Sequence, residues 1–150
     1  MSVDVVSEIT IERPIADVAA LATDPENAPT WYVNIKSVEW QTEPPLSVGS
    51  QVAFVAQFMG RRLTYTYEVI ELLPESRLVM RTAHGPFPME TTYTWASIGT
   101  DSTRMTLRNR GNPAGYSRLV APIMQRAVRR ANRKDLALLK SILESDRSTT

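Results

Sequence analysis

Apolar and polar residues alternate with a period of two through most of this chain, and the period lengthens to 3.6 only toward the C-terminus. Val3 to Ile11 is rich in β-branched residues and predicts a strand. Arg13-Pro14 predicts the start of a helix, with Pro14 at the first helical position, where a missing N–H costs nothing. Ile15, Val18, Ala19 and Ala22 give that helix one apolar face. Asp24-Pro25-Glu26 repeats the signal with Asp24 as N-cap, for a second short helix ending near Pro29. Ile35 to Gln41 predicts another strand, broken by Glu43-Pro44-Pro45.

From Val52 onward the alternation predicts five strands in succession, joined by short turns in an antiparallel meander. Val52, Phe54, Ala56 and Phe58 share one face, then Leu63, Tyr65, Tyr67 and Val69, then Leu78, Met80 and Thr82. Phe87, Met89, Thr91, Tyr93 and Trp95 follow, and last Thr103, Met105, Leu107 and Asn109. The turns fall at Met59-Gly60-Arg61, Pro74-Glu75-Ser76, His84-Gly85-Pro86 and Gly99-Thr100-Asp101.

After Gly111-Asn112-Pro113 the pattern predicts one long helix from about Tyr116 to Glu144, kinked or broken at Pro122. Met124, Ala127, Val128, Ala131, Leu138, Leu139 and Ile142 share its apolar face, with Arg126, Arg129, Arg130, Arg133 and Lys140 opposite. Ser145 to Thr150 reads as a frayed tail.

This element order predicts an α+β fold in one domain over residues 1–150. An antiparallel sheet with one apolar face must cover it, and the C-terminal helix is the only large apolar element left. At 1.5 Å per residue, about 29 residues reach roughly 43 Å, enough to cross the sheet. A curved sheet of about seven strands wrapped around one helix leaves unfilled space between them, which becomes a pocket.

The chain resembles the START-like SRPBCC superfamily, with its helix-grip fold, and within it the polyketide cyclase/dehydrase and lipid transport-like proteins. The carrying residues begin with Ile11-Glu12-Arg13-Pro14, Val18 and Leu21, then Asp24-Pro25 and Trp31. They continue through Val48-Gly49, Tyr67-Glu68-Val69-Ile70-Glu71, Leu73-Pro74, Gly99-Thr100 and Thr103. They end with Asp135-Leu136, Leu139-Lys140 and Leu143-Glu144. The resemblance implies a cavity for a small hydrophobic molecule, such as a lipid, sterol or polyketide. It implies either carriage of that molecule or cyclase/dehydratase chemistry on it.

Composition narrows the chemistry. The absence of cysteine excludes disulfides, thiolate nucleophiles and cysteine-ligated metals. One histidine without cysteine leaves no zinc set, and neither a metal nor a cofactor is expected. A net charge of +1 argues against a nucleic-acid partner. The arginine stripe reads either as a surface for RNA or anionic lipid or as the solvated back of an amphipathic helix. It lacks interleaved aromatic residues that would stack bases. With no apolar run near the roughly 18 residues of a membrane span and no signal-type N-terminus, stable membrane insertion is not expected and the location is read as cytoplasmic.

The inward face carries the candidate ligand-binding residues Phe54, Phe58, Tyr65, Tyr67 and Met80, and then Phe87, Met89, Tyr93, Trp95 and Met105. Methionine adapts to irregular apolar shapes, and tyrosine adds a hydroxyl that orients a ligand. Met124, Val128 and Asp135 face them from the helix. Asp135 lies close to the centre of the apolar face, so it needs a partner or must stay protonated. It is either a pocket acid/base or ligand anchor, or half of a structural ion pair with a sheet arginine. His84 in its turn and Tyr93 complete the catalytic candidates, with a surface histidine as the alternative for His84. Arg81, Glu90, Arg108 and Arg110 alternate with the inward set and predict cross-strand pairs on the outer face. The resemblance places Trp31, followed by Tyr32, near the cavity mouth; packing of the helix pair onto the sheet is the alternative.

Overall fold

The computed structural model describes residues 3–58, 60–85, 87–112 and 121–147, the side chains of Phe58, Asp146 and Arg147 excepted. Strand β1 (Val3–Ile11) leads into α1 (Ile15–Thr23), a 3₁₀ turn at Pro25–Asn27 and α2 (Ala28–Trp31). Six strands follow: β2 (Ile35–Trp40), β3 (Gln51–Phe58), β4 (Arg61–Leu73), β5 (Arg77–His84), β6 (Met89–Ser97) and β7 (Thr103–Gly111). Helix α3 (Ala121–Arg147) closes the described chain.

All seven strands form one sheet in the order β1-β7-β6-β5-β4-β3-β2, with antiparallel pairing throughout. The meander runs in sequence, and the N-terminal strand joins its far end by pairing with β7, Val5 opposite Asn109 and Ile9 opposite Met105. Strand β4 is 13 residues long and serves two neighbours in turn: Arg61–Glu68 pairs with β3 and Thr66–Leu73 with β5. Its pairing with β5 slips at Thr66/Tyr67 and again at Val69/Glu71, and β2 slips against β3 at Ile35/Ser37. Each slip inserts an unpaired residue, bends the strand and increases its twist. The bends lie where the sheet must curl around α3.

The boundaries differ from the sequence reading in instructive places. Pro14 is the N-cap of α1 and not its first residue, because its ψ of 149° is extended. Asp24 caps the 3₁₀ turn as expected, accepting from the Glu26 N–H at 3.0 Å. The helical segment runs past Pro29 to Trp31, since Pro29 falls in the first turn of α2, where no N–H is needed. Helix α3 continues into the expected tail as far as Arg147, and Pro122 falls in its first described turn; the residue four before it, whose carbonyl decides the expected kink, lies outside the described residues. The predicted helix start at Tyr116 lies outside the described residues.

The solvent face of the sheet carries the expected charge ladder. Arg81 pairs with Glu90 at 2.9 Å, Arg110 with Glu90 at 3.6 Å, and Arg108 with Asp4 at 2.7 Å. The Arg108 guanidinium lowers the Asp4 carboxyl below its ordinary pKa. The opposite face packs on α3. Its main core gathers Ile11, Val18, Trp31, Leu78, Trp95 and Met105 under Leu136, Leu139 and Leu143. The buried face of α3 is rotated slightly from the predicted one: Leu136 and Leu143 are buried, and Leu138 is 37% exposed. At 100° per residue, Leu138 and Leu139 cannot both face the sheet fully.

Candidate functional site

The two halves of α3 meet the sheet differently. The C-terminal half seals the main core. The N-terminal half presents Met124, Val128, Ala131, Asn132 and Asp135 to a cavity of about 150 Å³. The cavity lies where three apolar clusters approach without merging. One is the main core, reached through Met80 and Tyr93. The second joins Val3, Phe87 and Met89 to Met124 and Val128. The third, around Phe54, includes Tyr32, Ile35 and Tyr67. Strand parity places their side chains on one face, toward α3.

Most of the expected binding residues line this space: Phe54, Tyr65, Tyr67 and Met80 from β3 to β5, then Phe87, Met89 and Tyr93. Met124, Val128 and Asp135 line it from the helix. Edge-to-face contacts join Phe54 to Tyr67 and Tyr65 to Phe87, with ring centroids 5.8 and 6.0 Å apart. Gly85 brings its backbone against Tyr65: a Cβ there would sit 2.7 Å from the ring.

Four expected residues lie elsewhere. Trp95 and Met105 are on the correct face, but toward the end of the sheet where α3 packs tightly, and both are buried in the main core. Trp31 is fully buried there too, tilted against Tyr32 and Tyr93 with centroids 4.1 and 5.8 Å away. It backs the cavity wall, and the neighbouring Tyr32 lines the cavity instead. His84 ends β5 as an exposed residue and is not among the lining residues, so it does not join Asp135 and Tyr93. The Phe58 side chain lies outside the described set.

The polar part of the cavity is made of acid, amides and hydroxyls. Asp135 is 3% exposed and accepts from the Val33 N–H at 2.8 Å. This backbone contact ties the loop after α2 to α3, and it stands where one of the two sequence readings placed a sheet arginine. Burial pushes the Asp135 carboxyl up to about 7, against the opposing effect of the Val33 N–H. Tyr32 and Tyr93 share a hydrogen bond between their hydroxyls. Burial raises the phenols well above their ordinary range, Tyr67 to about 12 and Tyr32 and Tyr93 further in the same direction. They therefore remain protonated and can donate, but they cannot serve as bases near neutrality.

Thr91, beside Tyr67, opposes part of the rise in the Tyr67 pKa. Thr91 donates to Asn109 Oδ1 at 2.6 Å, and Asn109 Nδ2 donates to Asn132 Oδ1 at 2.9 Å. Sequence reasoning missed Thr91, Asn109 and Asn132 as lining residues. The signal was present: Thr91 and Asn109 share strand parity with Tyr93 and Leu107, and Asn132 stands one helical turn after Val128. Among the described residues no three His, Cys, Asp or Glu side chains gather where they could hold a metal ion. No described helix is long and apolar enough to cross a membrane.

A curved seven-stranded antiparallel sheet gripping one long C-terminal helix, with a cavity in the seam, defines a START-like SRPBCC protein of the helix-grip fold. More particularly, the family described as polyketide cyclase / dehydrase and lipid transport matches residues 2–144, and the chain belongs to it. Similar solved structures include a START superfamily protein from Mycobacterium smegmatis, 14% identical, with a TM-score of 0.80 over 95% of this chain and 97% of the other. A protein from Thermus thermophilus is 21% identical, with a TM-score of 0.82 over 95% and 98% of the two chains. The Zhui aromatase/cyclase from Streptomyces sp. R1128 is 18% identical, with a TM-score of 0.80 over 94% and 93%. At these identities the likeness is one of fold. No curated protein matches the chain.

Proposed function

We propose that this protein binds and carries a small, mainly apolar molecule in the cavity between the sheet and the N-terminal half of α3. The carrying observation is the lining itself: a wall of aromatic and methionine side chains, interrupted by a few protonated hydroxyls, three amides and one carboxyl. Such a wall supplies burial for a hydrocarbon body and a few fixed polar contacts for its orientation. Native mass spectrometry of protein purified from its own cells tests this reading. A retained small molecule, released on denaturation, is the expected result. Recovery of unliganded protein that also fails to bind 8-anilinonaphthalene-1-sulfonate would overturn it.

The second reading is cyclase or dehydratase chemistry on a polyketide-like substrate, and Asp135 is the observation that favours it. A carboxyl near 7 inside an apolar cavity can accept or return a proton at working pH. Tyr32 and Tyr93 lie within its electrostatic reach: the Asp135 charge is among the causes that raise both phenols. His84 and the sheet arginines stand outside the cavity, leaving Asp135 as the one base among the described lining residues. Turnover of a poly-β-ketone substrate, lost in Asp135→Asn while binding is retained, would establish this reading over simple carriage.

A further inference from the structure

Asp135 is a buried acid without a counter-ion among the described residues. It is 3% exposed and lines the cavity. Its Oδ1 accepts from the Val33 N–H at 2.8 Å, whereas its Oδ2 accepts no hydrogen bond among the described residues and is not fully occluded. No Lys, Arg or His stands among the described lining residues, and only the Val33 N–H opposes the rise in the Asp135 pKa. The titratable groups that face it are phenols, Tyr32 at the end of α2 and Tyr93 on β6, with Tyr67 on β4 lining the same cavity. All three stay protonated and uncharged near neutrality. The neighbouring cations of α3, Arg133 and Lys134, are exposed to solvent.

The rest of the wall is suited to positive charge. Tyr32, Phe54, Tyr65, Tyr67, Phe87 and Tyr93 all line the cavity. Aromatic rings attract a cation through the negative faces of their π-systems, most strongly where water is excluded. A carboxylate that accepts from an ammonium makes a charge-assisted hydrogen bond, about twice as strong as a neutral one. An ammonium carried by the ligand completes the ion pair at Oδ2, and burial of the ligand's hydrocarbon body offsets the cost of desolvating the charges. A neutral ligand of the same shape leaves the acid unpaired.

We propose that the cavity takes a hydrophobic amine, its ammonium group held between Asp135 Oδ2 and the aromatic wall, in preference to a hydrocarbon of the same shape. This rests on the reading of the cavity as the ligand site. The test is calorimetric titration with 2-phenylethylammonium and with propylbenzene, in which CH₃ replaces NH₃⁺. At pH 8 the wild-type protein binds the amine about tenfold more tightly, as one charge-assisted hydrogen bond to a buried group implies. Asp135→Asn brings the two affinities together. In the wild-type protein, independently of any variant, amine affinity falls about tenfold or more from pH 8 to pH 5.5, where Asp135 is protonated, and propylbenzene affinity does not fall. At pH 6.5 amine binding releases a proton from Asp135, read as a heat that varies with the ionisation enthalpy of the buffer. An amine that binds no more tightly than propylbenzene at pH 8, an amine affinity that does not fall at pH 5.5, a preference that survives in Asp135→Asn, or binding without proton release would each overturn the assignment and leave the cavity reading standing. Failure of the wild-type protein to bind either probe or 8-anilinonaphthalene-1-sulfonate would overturn both.

Discussion

Asp135 couples the site to the stability of the fold. An aspartate in an unfolded chain titrates near 4 (about 3.9), and burial pushes this one up to about 7. Between those values the folded protein holds a proton that the unfolded chain has released. Stability therefore falls as pH rises from about 4 to about 7, and this contribution is flat above. Asp135→Asn keeps an oxygen for the Val33 N–H and removes the titration. Thermal melts should show the variant gaining on the wild-type protein between pH 5 and pH 8, by several degrees, or about 1–3 kcal/mol. A constant difference across that range would refute the assignment. Gly85 makes a second residue-scale prediction. Because a Cβ would press on the Tyr65 ring at 2.7 Å, Gly85→Ala displaces a buried cavity wall and costs about 1–3 kcal/mol in urea unfolding. Gly85 reads from sequence as a turn residue; its close approach to Tyr65 spans a sequence separation that no local pattern reports.

Within α3, two kinds of packing are built into one continuous helix. Leu139 is fully buried against the main core, so Leu139→Ala leaves a cavity in solid packing and costs about 2–5 kcal/mol. Val128 borders space that is already open, so Val128→Ala enlarges an existing cavity and costs about 1 kcal/mol or less. Denaturant titrations of the two variants should separate them clearly; equal losses would mean that the seam is closed along its whole length. The amphipathic period of α3 was legible from sequence, as was the placement of Asp135 at its centre. The division into a sealing half and a roofing half was not, because both halves carry the same periodicity. The strands tell a similar story: alternation placed Phe54, Tyr67 and Tyr93 on one face, and it placed Trp95 and Met105 there equally. Only the distance from that face to α3 separates the lining residues from the core.

Across the molecule, the sheet divides its two faces by chemistry. The outer face is a ladder of exposed ion pairs, Arg81–Glu90 and Arg104–Glu8 among them, which keeps it solvated. The inner face carries the core at one end and the cavity at the other. A molecule that binds only the folded state raises its melting temperature with ligand concentration. Ala131→Trp, which places an indole in the cavity from α3, should abolish the increment produced by 8-anilinonaphthalene-1-sulfonate while leaving the melt cooperative. An undiminished increment would place the ligand elsewhere.

The order of elements, the parity of each strand and the apolar stripe of α3 are consequences of local periodicity, and periodicity is written in consecutive residues. From it followed the helix-grip fold, the inward set of aromatic side chains and the outward set of charged ones. The partner of Asp135, the bond between Asn109 and Asn132 and the position of the cavity along the seam depend on residues far apart in the chain. Val33 meets Asp135 across 102 positions, and Asn109 meets Asn132 across 23. Those contacts are set by where bulges bend the sheet and how far the helix then stands from it, quantities that exist only once the chain has closed on itself.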